Sequence, residues 1–203
     1  VETADSYNVP VLSHLGEMDF EVEQLRRDYD CSPVEHYSRV GLLGPRLVAG
    51  HCIHVSSDDI ENIVDSGAGV AHNPVANMKA GKGVAPIPDM VARGTRVGLG
   101  TDGPMSGNTM DMFGVLSTTA KVHKLATRDR TAMPAREAFE LATIGGAAAL
   151  HMEDRIGSLE PGKRADIAIV ATETPNMFPI FDPYAALVYC AGPQDVRDVV
   201  VDG

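Results

Sequence analysis

The sequence has 203 residues, of which 44% are hydrophobic, and a formal net charge of −11. This length suits one well-packed domain, or one and a fraction, and the ordinary apolar content argues against a disordered chain. The acidic sequence lacks the basic stripe of a nucleic-acid partner, a run of apolar residues long enough to cross a membrane, and a secretory signal pattern, so none of these roles is expected.

The first half of the chain alternates predicted strands with predicted helices. It begins with residues typical of the end of a helix, and buried strands are then expected at residues 8–14, 47–51, 68–71 and 96–100. Helices are expected at residues 19–27, 58–64 and 86–94, with a loop over residues 33–45. For the second helix, Asp58 is the predicted cap, Glu61 lies three residues later, and Gly67 is the predicted stop.

Beyond the fourth strand the pattern changes. Two longer helices, a turn-rich link and two final strands are expected at residues 109–124, 134–151, 157–163, 165–171 and 196–201. The alternation of strands and helices predicts an α/β fold built from parallel βαβ units. Four such units make half of an eightfold barrel, and a half-barrel has two open sheet edges, so we expect the chain to associate or to be poorly stable alone.

Four polar residues stand at the predicted carboxyl ends of the four strands: His14, His51, His72 and Asp102. In parallel sheets and barrels this end carries the chemistry. Three histidines and an aspartate are a set of residue types that can bind a metal ion. The cysteines, by contrast, are Cys31, Cys52 and Cys190, a scattered odd set typical of reduced cytosolic thiols, which favours a cytoplasmic location.

His14 is followed by Glu17, so that a candidate metal ligand lies near a carboxylate able to take a proton from an activated water. The His-x-x-Glu spacing alone is weak, and a chance surface pair is the alternative. His51 could hydrogen-bond an activated water or a substrate ring atom, whereas His54 is read as a structural loop histidine. His36, His123 and His151 are also read as structural, from their helix and loop contexts.

His72 and Asn77 either line a pocket and orient a ligand, or belong to a polar turn after the third strand. Asp102 follows a buried strand and has a glycine beside it. A buried carboxylate is costly unless it is paired or metal-bound, which favours a metal ligand that also accepts a proton. The alternative is a cap for a helix that begins near Asn108.

Four motifs together resemble the amidohydrolase superfamily, in the branch of the methylthioadenosine/S-adenosylhomocysteine deaminases and triazine chlorohydrolases. They are Ser13-His14-Leu15-Gly16-Glu17, Gly50-His51-Cys52-Ile53-His54, His72-Asn73-Pro74-Val75-Ala76-Asn77-Met78-Lys79 and Leu99-Gly100-Thr101-Asp102-Gly103. The later segment from Gly157 to Asp166 resembles that family's return into a small β-sandwich. The resemblance implies that residues 1–155 are the C-terminal half of a (β/α)8 TIM-type barrel, strands 5 to 8, and that residues 156–203 begin a composite β-sandwich domain.

The same resemblance implies roles for single residues. His14 and Asp102 would be metal ligands, with Glu17, His51 and Asp102 catalytic, and with Glu17, His51, His72 and Asn77 contacting substrate. The cofactor would be one divalent metal, zinc or alternatively iron. The reaction would be hydrolytic deamination of a small aminated purine, in which the metal activates water, Asp102 takes its proton, Glu17 protonates the ring nitrogen and the leaving group, and His51 stabilises developing charge. Family members commonly form homo-oligomers.

Two departures from the family pattern accompany this resemblance. The His-x-His pair of the family's first strand does not occur in these 203 residues, and Ser106-Gly107-Asn108 stands where many members have Ser-Asn-Asn. We therefore expect an N-terminal portion to be missing, this chain alone to be inactive, and the substrate to stay undecided. The alternatives are a chlorohydrolase or a guanine-type deaminase of the same superfamily, or a non-catalytic half-barrel module.

Overall fold

The computed structural model describes residues 2–203. Within them, four strands form a parallel sheet and two more form a separate antiparallel ribbon. The strands are β1 Val11–Leu15, β2 Leu47–His51, β3 Gly69–His72, β4 Arg96–Leu99, β5 Ile167–Val170 and β6 Val196–Val200. The helices are α1 Glu2–Tyr7, α2 Asp19–Tyr29, α3 Pro33–Arg39, α4 Ser57–Ser66, α5 Pro74–Lys79, α6 Ile87–Ala92, α7 Pro104–Gly107, α8 Met112–Thr127, α9 Ala135–Ala142, α10 Ile144–Ala149 and α11 Pro183–Tyr189, with a 3₁₀ turn at Pro193–Asp195.

The parallel sheet follows chain order, β1-β2-β3-β4. In its register, Leu15 lies opposite His51, and His72 lies opposite Leu99. The carboxyl ends of the four strands therefore meet at one edge of the sheet. The predicted α/β fold with a parallel sheet is confirmed, while its assignment to barrel strands 5 to 8, and the division at residue 155, stay predictions.

The core lies between this sheet and the helices that cross over it. β2 is buried along its whole length, as expected of a central parallel strand. Ile60 and Ile63 of α4 and Ile87 and Met90 of α6 are almost completely buried in the same cluster. The apolar side chains of both helices therefore face the core.

Glycine allows α10 to approach the sheet closely. An added Cβ at Gly69 of β3 would overlap the carbonyl oxygen of Ala149, and one at Gly98 of β4 would lie 2.8 Å from the Cα of Gly146. Both neighbours are backbone atoms of α10, which cannot move aside as a flexible side chain does. The sequence Gly145-Gly146 on the helix and the glycines on the strands therefore match one another across this contact.

Helix boundaries are where the sequence expectations need correction. Residues 33–39, predicted as a loop, form α3, because Ser32 accepts a hydrogen bond from the Glu35 amide at 3.0 Å and Pro33 occupies the first helical position. The cap of α4 is Ser56, which pairs with Asp59, and the predicted cap Asp58 lies inside the helix. Gly67 ends α4 at φ 72°, as predicted.

Further along the chain, three other expectations change. The segment after His72, read as a polar turn or pocket wall, forms α5, which begins at Pro74. The helix predicted over residues 134–151 is broken at Thr143, whose ψ of −99° is not helical, so that α9 and α10 are separate. The helix predicted from residue 109 begins at Met112, and α11 was not predicted at all.

The C-terminal part contains the two final strands where the sequence predicts them. β5 and β6 pair in antiparallel fashion, with Ile167 opposite Val200. These two strands form a ribbon, and the predicted return into a small β-sandwich stays a prediction. None of the helices within residues 2–203 is long and apolar enough to cross a membrane.

The glycine contact of α10 predicts the effect of a single methyl group. Gly69→Ala should lower the free energy of unfolding by about 1–3 kcal/mol or more, because β3 and α10 must separate to admit the new Cβ. Gly44→Ala is the matched control, since its Cβ would meet no heavy atom within 4 Å, and it should change stability by less than about 0.5 kcal/mol. Urea unfolding of both variants measures the difference, and equal stability would contradict the close packing.

Candidate functional site

Three of the four predicted strand-end residues come together. The ligand atoms of His14 on β1, His51 at the end of β2 and Asp102 after β4 all lie within 4.8 Å of one another. They meet because the parallel register places these strand ends side by side. His14 is exposed and Asp102 is partly buried, whereas His51 is completely buried. The cluster is therefore open to ligands on one side only.

Glu17 reaches the same cluster from the turn after β1. Its Oε2 lies 3.0 Å from Nδ1 of His14, and its Oε1 lies 3.5 Å from Nε2 of His51. The turn depends on Gly16, which has a φ of 55° and would place a Cβ only 3.1 Å from the His54 carbonyl oxygen. The predicted His-x-x-Glu pair is thus a real contact and not a chance surface spacing.

Lys82 also belongs to the cluster, although the sequence did not single it out. Its ammonium group donates to Oε1 of Glu17 in a very short contact, and both side chains are largely buried. The backbone around Lys82 is held by Asn77, whose carbonyl accepts from the Lys82 amide at 3.0 Å, and by the ring of His54, whose Nε2 lies 3.0 Å from the Lys82 carbonyl oxygen. Gly81 and Gly83 flank Lys82, and both have a positive φ. In the sequence, this pair of glycines was a local sign that Lys82 lies in a structured loop.

Opposing effects act on the ionisation of Glu17. Burial raises its pKa, but the hydrogen bond from Lys82 and the positive potential of His51, Lys82 and His14 outweigh burial, so the pKa lies below its usual value. Glu17 is therefore an anion at neutral pH in this structure. An anionic carboxylate at this position can accept a proton.

His51 is held in an unusual backbone conformation. Its φ is 72° and that of Cys52 is 48°, both in the left-handed region that residues with a Cβ rarely adopt. The ring stands edge-on to that of His14, with centroids 4.7 Å apart. Nδ1 of His51 lies 2.7 Å from Oδ1 of Asn77, and Nε2 has no hydrogen-bond partner within residues 2–203. That unpartnered buried nitrogen faces Glu17 and Asp102.

Asp102 also has a positive φ, of 59°. Its Oδ1 accepts from the Gly103 amide at 2.8 Å, and its Oδ2 lies 4.0 Å from Nε2 of His51. Burial raises the pKa of Asp102, but the Gly103 hydrogen bond, His51 and Ser106 outweigh that effect and lower it. The alternative role as a helix cap is wrong, because α7 follows Gly103 and α8 is capped by Asp111.

His72, the remaining strand-end histidine, lies outside this cluster. It is buried, and its Nε2 is 3.1 Å from Nε2 of His123 on α8. Burial and the proximity of His123 and His51 hold the pKa of His72 well below its usual value, and burial followed by Lys124 lowers that of His123 to about 4. The two rings are neutral at pH 7, and they join β3 to α8.

Asn77 lies behind His51 and away from the open side of the cluster. It is 1% exposed, and its Nδ2 has no partner among the described residues. The family resemblance implies a substrate contact for Asn77, and in the structure its side-chain oxygen lies 2.7 Å from the far nitrogen of His51.

The chemistry of the cluster fits a divalent metal ion. Two imidazole nitrogens and a carboxylate held as an anion are the ligand types that zinc takes in catalytic sites, which keep a further position open. The buried Nε2 of His51, which has no partner in the protein, also calls for a cation or a donor. Beside His14 and Asp102 lies a cavity of about 1260 Å³ with a mostly apolar lining, which extends towards β5 and α11.

Comparisons with known proteins identify the family of this chain. A sequence model described as "Amidohydrolase family" matches residues 1–203. The chain is 46% identical, over 97% of its own length and 45% of the relative's, to the 5-methylthioadenosine/S-adenosylhomocysteine deaminase of Syntrophobacter fumaroxidans. It thus spans about half the length of the curated relatives it matches.

Two solved structures match the fold over the whole chain. An adenosine deaminase from Xanthomonas campestris with bound zinc superposes with a TM-score of 0.96 at 34% identity, covering 100% of this chain and 46% of that one. An atrazine chlorohydrolase from Arthrobacter aurescens complexed with zinc gives 0.92 at 27% identity, covering 100% and 45%.

The contact between Lys82 and Glu17 predicts a measurable change in ionisation. Lys82→Met should raise the pKa of Glu17, because burial is retained while the hydrogen bond and the positive charge are lost. Lys79→Met is the control, since the Lys79 ammonium bonds the Met105 carbonyl and not Glu17. Carboxyl ¹³C NMR titration of the metal-free chain reads the pKa directly, and an unchanged value in Lys82→Met would refute the contact.

The pair of His72 and His123 predicts sensitivity to acid. Both folded-state pKa values lie below the ordinary 6.5, so the unfolded chain takes up protons first as the pH falls. The stabilising contribution is full above about pH 6.5 and is lost between about 6.5 and 4, by about 3 kcal/mol for His123. The free energy of unfolding should decrease less steeply with falling pH in His123→Gln than in wild type or in the control His36→Gln. Identical slopes in all three would contradict this.

Proposed function

Because the chain belongs to the amidohydrolase family, we propose that it carries the metal-binding and proton-transfer part of an enzyme that hydrolytically deaminates an aminated purine of the methylthioadenosine or S-adenosylhomocysteine type. The observation that carries the proposal is the cluster of His14, Glu17, His51 and Asp102 at the carboxyl edge of the sheet. The deaminase with 46% identity supports the substrate class. Overall, water adds to the ring carbon and the amino group leaves as ammonia.

His14 and Asp102 would hold the metal, with Nε2 of His51 facing the same space. A bound zinc, or alternatively iron, supplies a Lewis acid that activates water near neutral pH. His14 and Asp102 alone are fewer protein ligands than a catalytic zinc takes. We propose that the His-x-His pair implied by the family resemblance, which this sequence does not contain, completes the set in the whole protein.

Asp102 is suited to accept the proton of the attacking water. Its Oδ1 is occupied by the Gly103 amide, which leaves Oδ2 directed towards His51 and the cluster. The lowered pKa keeps the group ionised and therefore able to accept a proton at neutral pH. The hydrogen bond from Gly103 also fixes the orientation of the carboxylate, so that the free oxygen does not rotate away.

Glu17 is suited to carry protons to the ring nitrogen and then to the leaving amino group. Because Glu17 is an anion in this structure, both protons would come from the attacking water, the first released to Asp102 as water adds to the ring and the second released from the hydroxyl group of the adduct. Glu17 touches His14 and His51, so it lies beside both the metal site and the position where the ring would sit. Lys82 holds the carboxylate in place during this transfer. His51, between the two carboxylates, stabilises negative charge that develops on the ring or on the attacking oxygen.

A chlorohydrolase is the second candidate, because the zinc complex of an atrazine chlorohydrolase shares the fold at a TM-score of 0.92. The two reactions differ in the leaving group. Chloride leaves as an anion without a proton, whereas an amino group must be protonated to leave. Ammonia release from an adenosine thioether, compared with chloride release from a chlorinated triazine, separates them, and neither product with no bound metal would favour a non-catalytic module.

The roles of Asp102 predict a joint loss of metal and turnover. In the intact parent protein, Asp102→Asn should reduce bound metal and lower kcat by at least about 10²-fold, because one group serves as ligand and as general base. Asp65→Asn, on the exposed surface of α4, is the matched control and should keep both. Elemental analysis and ammonia release are the measurements. Wild-type metal content and turnover in Asp102→Asn would overturn the assignment.

A further inference from the structure

We propose that Asn77 is a positioning residue that determines which nitrogen of His51 carries the ring proton. Its amide oxygen would keep the proton on Nδ1, so that Nε2 alone faces the metal site and the substrate. The catalytic role of Asn77 rests on the proposed function. The position of the ring proton on His51 can be measured whether or not the protein turns over a substrate.

The first support is the burial of the contact. His51 is fully buried, Asn77 is 1% exposed, and Oδ1 of Asn77 lies 2.7 Å from Nδ1 of His51. A side chain enclosed in this way touches the reaction through His51 and not by meeting the substrate itself. An oxygen atom has no hydrogen to donate, so the bond exists only if Nδ1 of His51 is the donor.

The second support is the surroundings of the other ring nitrogen. Nε2 of His51 has no hydrogen-bond partner in residues 2–203, and it faces Oε1 of Glu17 at 3.5 Å and Oδ2 of Asp102 at 4.0 Å. A lone pair directed at two carboxylates needs a cation between them, and a protonated Nε2 can itself interact with either. In both cases Nε2 is the nitrogen that faces the site, while Nδ1 stays bonded to Asn77.

The third support is the way in which the backbone fixes Asn77. Pro74 begins α5 directly after the Asn73 position, and the Asn77 amide donates to the Asn73 carbonyl at 3.0 Å. The Asn77 carbonyl in turn accepts from the Lys82 amide at 3.0 Å, and Lys82 contacts Glu17. One residue thus joins the helix, the loop that carries Lys82 and the ring of His51.

The test is the tautomer of His51 in the full 203-residue chain without added metal. Long-range ¹H–¹⁵N correlation spectra of the ¹⁵N-histidine-labelled chain distinguish a protonated ring nitrogen from one with a lone pair, and His51→Gln identifies the signals. We expect the neutral ring to carry its proton on Nδ1 and its lone pair on Nε2. A wild-type ring that carries its neutral-state proton on Nε2 would overturn the proposal.

Two substitutions separate the hydrogen bond from mere packing. Asn77→Leu keeps the volume but removes the acceptor, so the proton should move to Nε2 or divide between the two nitrogens. Asn77→Asp keeps an acceptor oxygen and should retain the wild-type pattern. Asn62→Leu, on the exposed face of α4, is the control. An unchanged tautomer in a folded Asn77→Leu chain would refute the proposal, and if that variant does not fold, the wild-type and Asn77→Asp spectra still decide it.

In the intact parent protein the same variants give a kinetic readout. Loss of a group that orients a site histidine lowers activity by about 10–100-fold, and here we expect the loss in kcat with little change in KM, restored by Asn77→Asp. A rise in KM instead would mean that Asn77 binds substrate and would overturn the positioning role. If the expected tautomer is found but wild type releases no ammonia, the proposed function fails and the positioning of His51 stands.

Discussion

The parallel register of β1 to β4 is the constraint on which the candidate site depends. Because the four strands run in the same direction, His14, His51 and Asp102 reach one edge of the sheet although 88 residues of chain separate the first from the last. A slip of one residue in any strand would turn its side chains to the opposite face. The close packing of α10 against Gly69 of β3 and Gly98 of β4 therefore maintains the site as well as the core, because it helps to hold these strands in register.

The electrostatics of the site suit a cation. Glu17 and Asp102 are both anions, since hydrogen bonds and nearby positive groups outweigh the effect of burial on their pKa values. Lys82 compensates the charge of Glu17, and the Gly103 amide only partly compensates that of Asp102. The Nε2 of His51, which has no hydrogen-bond partner among the described residues, faces the same space. A divalent cation is the simplest group that would bind Oδ2 of Asp102 together with the rings of His14 and His51.

The sequence predicts much of this arrangement, but only where the signal is local. Strand positions, the His-x-x-Glu contact and the cluster of His14, His51 and Asp102 follow from residues that are adjacent in the chain or equivalent in successive units. Lys82 was missed because its partner lies 65 positions away. The short helices α3 and α5 were missed because two turns bury too few apolar residues to show a period, so only proline and caps identify them. The pairing of His72 with His123, across 51 positions, had no sequence signal.

Strained backbone conformations occur at the same edge of the sheet. His51, Cys52 and Asp102 all occupy the left-handed region without being glycine, at about 1–3 kcal/mol each, whereas glycine would adopt it without strain. For His51 and Asp102 the side chain is what the site requires. His51 is held by the buried side chain of Asn77, and Asp102 is held by the Gly103 amide. Cys52 offers no such chemistry, because burial raises the pKa of its thiol to about 12, and its amide donates to the Leu15 carbonyl at 3.0 Å. The geometry is thus imposed by surrounding contacts against local preference, and those contacts determine the chemistry as strongly as the ligands themselves.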